Sequence, residues 1–175
     1  MPTNRAVVSS ADQIAHLLDQ LAVVVETLTD GEYRAVRARE ISGSVGGHVR
    51  HCLDHVCALV TGLPTRHVGY DARARGTAVE RQRDIAALEA RRLARALAAL
   101  RDTDVDWDLD VELRTNATDE AVILVRSTLA RELAFVASHT VHHFAIVALL
   151  LRDMGIGVPA RFGHAPSTPS PELAA

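Results

Sequence analysis

Residues 133–151 read LAFVASHTVHHFAIVALLL, a run without Asp, Glu, Lys or Arg that is nearly long enough to cross a bilayer. At its centre stand Ser138, His139, Thr140, His142 and His143, which a bilayer core would penalise. The same residues suit a long helix buried inside a helical domain, and that reading sets the fold class as mainly α. Thr128 opens this helix and Gly155 ends it.

The flanking sequence supplies its partners. A first helix is expected from Ser10, with Gln13 closing a capping box, to about Thr29; Ile14, Leu17, Leu18, Leu21, Val24, Val25 and Leu28 form its apolar stripe. After a polar stretch from Arg34 to Glu40, Ser42 or Ser44 opens a second helix to about Thr61, with Val45, Val49, Cys52, Val56 and Leu59 on one side. Gly62, Pro64, Gly69 and Gly76 punctuate a connection over residues 62–76, whose length suits a crossover and not a tight hairpin. Thr77 and Glu80 make a capping box for a third helix to about Arg101, where Ile85, Leu88, Leu93, Leu97 and Leu100 spread over a broader face. The period then changes from that of a helix to that of a strand, because Val105, Trp107, Leu109, Val111 and Leu113 alternate with Asp106, Asp108, Asp110 and Glu112. A turn through Asn116 to Asp119 and a second apolar run, Val122 to Val125, complete a β-hairpin between the third and fourth helices. Residues 1–157 thus form one domain, and 158–175 a Pro-rich, extended C-terminal tail.

Composition narrows the function classes. With 175 residues the chain is about one domain long. All 19 basic residues are arginine, against 22 acidic ones, and the densest stretch, Arg73 to Arg101, is interleaved with Glu80, Asp84 and Glu89. Nucleic acid is therefore not expected as a partner, nor is a membrane. Cys52 and Cys57 lie about 140° apart on one helix and cannot pair, which fits a reducing compartment, and Met1 to Ser10 has no secretory core; the expected location is cytoplasmic. The acidic alternation of residues 106–112 lacks the glycine and terminal glutamate of a calcium loop.

Chemistry concentrates in histidine. Seven of the nine fall in two places: His48, His51, His55 and His67 on or after the second helix, and His139, His142 and His143 on the fourth. His139 and His143, four residues apart, project from one helix face and can chelate a single divalent ion. A third imidazole from a neighbouring helix would leave positions open for water or substrate, as catalytic sites require. The helix wheel does not choose it cleanly: from a stripe centred on Val45, His48 and His55 lie about 60° to 80° away and His51 about 120°. Glu132, two turns before His139 and within about 20° of its face, is a candidate catalytic group, either orienting a ligand's free N–H or accepting a proton. His16, His67 and His164 read as ordinary surface or core residues.

The stretch SVGGHVRHCLDHV (Ser44–Val56), followed far downstream by SHTVHHFAIVALLLRDMGI (Ser138–Ile156), resembles the DinB/YfiT-like superfamily of metal-binding four-helix bundles. The resemblance implies an up-down-down-up four-helix bundle, and it places the metal ligands on His51, His139 and His143, with an Arg-x-x-Gly ending matched by Arg152 and Gly155. Where relatives carry Arg-Gly-Gln after the last histidine, this chain has Phe144, Ala145 and Ile146, so a polar lining is missing. Members bind zinc, nickel or similar ions, and include thiol-dependent S-transferases and an isomerase; zinc leads here because imidazole donors suit it. The expected function is a metal-dependent enzyme acting on a small molecule, with water or a low-molecular-weight thiol as cosubstrate and His55 and His142 lining the substrate side. The alternative is a non-catalytic metal-binding or dimer-forming protein, with a homodimer as a candidate assembly.

Overall fold

The computed structural model describes residues 4–36, 43–71, 74–102, 105–115 and 121–169. The chain is mainly helical with a small three-stranded sheet, its elements running α1 (Arg5–Glu26), α2 (Asp30–Arg34), α3 (Val45–Gly62), β1 (His67–Gly69), α4 (Ala78–Arg81), α5 (Arg83–Ala98), β2 (Asp108–Arg114), β3 (Val122–Thr128) and α6 (Leu129–Asp153). Of the long helices, α1 packs against α5 and α6, and α3 against the same two.

The apolar stripes expected on α1 and α3 are buried throughout. The start of α1 differs: Asn4, not Ser10, caps it, accepting from the N–H groups of Ala6 and Val7 at 3.1 and 3.3 Å. Val7 and Ala11 carry the buried face into that extra turn. A short helix forms between α1 and the expected polar stretch, because Thr29 and Glu32 close the reciprocal capping box of α2, which ends at Arg34; residues 37–40 of that stretch lie outside the described residues. Ser44 is the residue that caps α3, accepting from Gly47 N–H at 3.1 Å.

The third expected helix is broken. Thr77 makes no side-chain cap, Gln82 is extended at φ −126° and ψ 110°, and α4 and α5 form on either side of it. The carboxylate of Glu80 accepts instead from Gly76 N–H at 2.9 Å and pairs with Arg50 on α3. On α5 the buried face is made of Ala86, Ala87, Ala90 and Ala94 with Leu93 and Leu97, whereas Leu88 is exposed. Small side chains on that face let α1 approach closely.

The hairpin is present but belongs to a larger unit. β2 and β3 pair antiparallel from Asp108 opposite Thr128 to Arg114 opposite Val122, and β1 adds to the other edge of β2 in parallel, with Val68 beside Val111. The expected turn at 116–119 lies outside the described residues. Burial alternates as predicted at Leu109 and Val111, but Val122 to Val125 of β3 are exposed. Gly62 makes the return from α3 to β1 feasible, since a Cβ there would stand 2.3 Å from the carbonyl oxygen of His67. Gly46, at the other end of α3, is packed as closely against the carbonyl of Glu80.

By length and composition α6 could cross a membrane, but half of its most apolar window is buried inside this fold. The segment after α6, expected to be extended, carries Phe162 back into the core, stacked on Phe144 at 4.7 Å and almost parallel. Replacing Phe162 by Ala should therefore cost about 3–5 kcal/mol of stability, the usual range for removing a buried aromatic ring. Urea unfolding measures this; an unchanged midpoint would mean that the segment is not docked.

Candidate metal centre

The packing of α3 on α6 brings two histidine-bearing flanks face to face. His48, His51 and His55 are spaced by about one turn along α3, and His139 and His143 by one turn along α6. One nitrogen each from His51, His139 and His143 lies within 4.8 Å of the other two. The Nε2 atoms of His51 and His139 are 3.0 Å apart. Two imidazoles bound about 2.0–2.1 Å from one zinc ion, at ligand angles of about 90° to 110°, place their nitrogens roughly 2.8–3.4 Å apart. The His51–His139 pair already has that spacing, and the three half-buried rings together could hold a divalent cation.

Electrostatics keep His143 in its neutral form. Burial, and then the neighbouring rings of His139, His48, His142 and His55, push the pKa of His143 down from 6.5 to about 3. A neutral imidazole with an available lone pair is what a metal requires.

Behind the triad the rings are packed and hydrogen-bonded. His55 is 7% exposed; its Nδ1–H donates to the backbone oxygen of His51 at 2.9 Å, and its ring stacks on His139 at 4.1 Å and on Tyr70 at 5.3 Å. The Tyr70 hydroxyl donates to Glu132 at 2.8 Å. Burial, reinforced by the Glu132 carboxylate, drives the Tyr70 pKa upward, so the phenol keeps its proton. Glu132 itself is buried at 1% exposure and also accepts from Ser127 Oγ and from Arg131, so its charge is compensated by three donors. It thus meets the triad through Tyr70 and His55, two turns of helix before His139. Tyr70 escaped the sequence reading, although a lone aromatic within a glycine-punctuated segment, in a chain with 3% aromatics, was a usable signal.

On the other side the triad borders a cavity of about 560 Å³ whose walls include Ser44, His48, Arg50, His51, Glu80 and His143. Arg50 spans the wall, 2.6 Å from Asp54 and 2.9 Å from Glu80. Of the two histidines expected to line a substrate site, His55 is buried against Tyr70 and Phe135 and His142 is exposed on α6; neither is in this wall. His67 lies apart, 3.5 Å from Glu112 on the sheet. Cys52 and Cys57 are both free thiols.

Residues 3–164 match the profile of the DinB family. Over 101 residues the chain is 28% identical to a Rhizopus delemar protein named FK506-binding protein 5; the aligned stretch is 58% of this chain and 26% of the fungal protein, so the chain spans about a quarter of that relative's length. No solved structure matches the chain.

The low pKa of His143 has a consequence for the metal-free protein. Folded, the ring stays neutral down to about pH 3, whereas in the unfolded chain it protonates near its ordinary value of 6.5. Between those values the unfolded state binds more protons, so the stability due to this group is present above pH 6.5 and is lost as the pH falls. Urea midpoints of chelator-treated protein should drop between pH 7 and 5, and the drop should be shallower in His143→Asn; equal slopes would contradict it.

Proposed function

Because the chain belongs to the DinB family, as the match over residues 3–164 establishes, we propose that it is a divalent-metal-dependent enzyme whose ligands are His51, His139 and His143. The long helices, α1, α3, α5 and α6, are then the up-down-down-up four-helix bundle of that family, with the sheet attached at one edge. The observation that carries an enzymatic reading is the cavity beside the triad: a purely structural centre needs closed coordination and no adjoining space, whereas here about 560 Å³ opens against two of the three candidate ligands. Bound there, zinc, or nickel or another transition ion, would supply a Lewis acid that lowers the pKa of water or of a low-molecular-weight thiol cosubstrate.

The chain's own residues have separable tasks in this reading. His51, His139 and His143 present neutral nitrogens; His55, itself stacked on Tyr70, holds His139 by stacking; Glu132 fixes Tyr70 and the start of α6. Ser44, Arg50 and Glu80 give the cavity polar walls that suit a small polar electrophile. The two free thiols fit a cytoplasmic protein.

About one divalent ion per chain is expected by elemental analysis, with melting temperature falling on chelation because the ion binds only the folded state. His51→Ala, His139→Ala and His143→Ala should each abolish stoichiometric binding, and His55→Ala should retain it. Metal-free protein whose melting is indifferent to added zinc or nickel would refute the metal centre. If metal binds, a conjugation screen pairing small thiols with electrophiles tests the enzymatic half, and loss of turnover in His139→Ala ties any activity to the site.

A further inference from the structure

His48 stands one turn before His51 on α3, and its Nδ1 lies 3.1 Å from the Nδ1 of His143. The rings are tilted by 36°, with centroids 5.3 Å apart. Two ring nitrogens at that distance share a single proton, one donating and the other accepting. The opposite nitrogen of His143 points away from His48, and the His143 ring lies 4.5 Å from His51 and 4.6 Å from His139. Resting on the metal-centre reading above, we propose that His48 is the positioning residue of this site: it accepts the Nδ1–H of His143 and so commits that ring to binding the ion through Nε2.

The assignment follows from counting protons. A neutral imidazole carries one N–H; if Nε2 of His143 gives its lone pair to an ion, the proton must sit on Nδ1, where only an acceptor can satisfy it. Nδ1 of His48 can accept if the proton of His48 is on Nε2. That nitrogen is the one near Gly43, where a Cβ would approach it to 3.4 Å, and both residues belong to the cavity wall. His48 thus connects the ring of a ligand to the cavity through an imidazole whose two nitrogens have opposite roles. The alternative geometry would use Nδ1 of His143 as the ligand atom and make His48 a fourth ligand, closing the coordination next to the cavity.

Nitrogen NMR on uniformly labelled full-length protein separates the two. In zinc-loaded protein, His143 should show a protonated Nδ1 and a metal-bound Nε2, His48 an unprotonated Nδ1 without a metal shift, and a scalar coupling should connect the two Nδ1 nuclei across the hydrogen bond. His48→Ala should weaken zinc binding by about 10–100-fold while keeping one ion per chain, as loss of an orienting partner does elsewhere. His48→Asn, which retains an acceptor, should recover much of the affinity. The cobalt-substituted visible spectrum of His48→Ala should keep its band positions, since the ligand set is unchanged. A metal-shifted Nδ1 on His48, or a cobalt spectrum that changes coordination class in His48→Ala, overturns the proposal in favour of a fourth ligand. Zinc affinity unaffected by either substitution overturns it as well, while leaving the triad intact. Wild-type protein that takes up no zinc defeats the metal-centre reading and this proposal together, and the titration of the wild type distinguishes that failure from the others.

Discussion

The structure depends on a polar seam between two apolar helices. Where α3 faces α6, imidazoles take the place of aliphatic side chains, and each brings ring nitrogens that cost free energy unless they are partnered. The solution is mutual: His51 meets His139, His48 meets His143, and His55 turns back to the carbonyl of its own helix. Such a set tolerates little sliding of one helix against the other, because a shift of one residue along α6 would separate every pair by about 1.5 Å and rotate it by about 100°. The positions of the two helices must be fixed from outside the seam.

They are fixed at their ends. α3 is held at its start by Gly46 lying against the Glu80 carbonyl and by the Arg50–Glu80 pair, and at its end by Gly62 against the chain entering β1. α6 is held at its start, where Glu132 gathers Tyr70 from the end of β1, Ser127 from β3 and Arg131 from its own first turn. The small sheet therefore anchors both helices: β1 follows α3, β3 leads directly into α6, and β2 joins the two strands. This gives a physical reason for a sheet in a helical protein, and for a buried carboxylate linked to the triad through Tyr70 and His55.

The sequence was legible wherever a pattern was local and periodic. The stripes of α1 and α3, the Thr128 cap, the strand alternation at Leu109 and Val111, and the pair His139 and His143 could all be read by spacing. What failed was long-range. Thr77 and Glu80 have the spacing of a capping box, but the Glu80 carboxylate is claimed by Arg50, thirty positions earlier, and α4 ends at once. Thr29 and Glu32 have the same spacing, and there the box forms. The parallel pairing of β1 with β2 carries no local signal, because three residues cannot display alternation. The wheel left His48, His51 and His55 open, since its reference was the apolar stripe facing the core, while the seam with α6 lies on the flank of that stripe.

That flank position gives the triad two unlike surroundings. Beside His139 the neighbours are the rings of His55 and Phe135, with Tyr70 stacked on His55 and hydrogen-bonded to Glu132. Beside His143 they are Ser44, Arg50, Glu80 and open space. A group approaching the three nitrogens meets about 560 Å³ of open space on the second side; on the first, His139 is covered by His55 and Phe135, and a smaller cavity of about 240 Å³ is lined by Tyr70, Glu132 and Phe135. The two histidines of α6 thus differ in their surroundings: His139 is stacked on His55, while His143, bordering the cavity, lies edge-on to His51 and His139 with its Nδ1 3.1 Å from that of His48. If His143 binds an ion, His48 is its orienting partner on the cavity side.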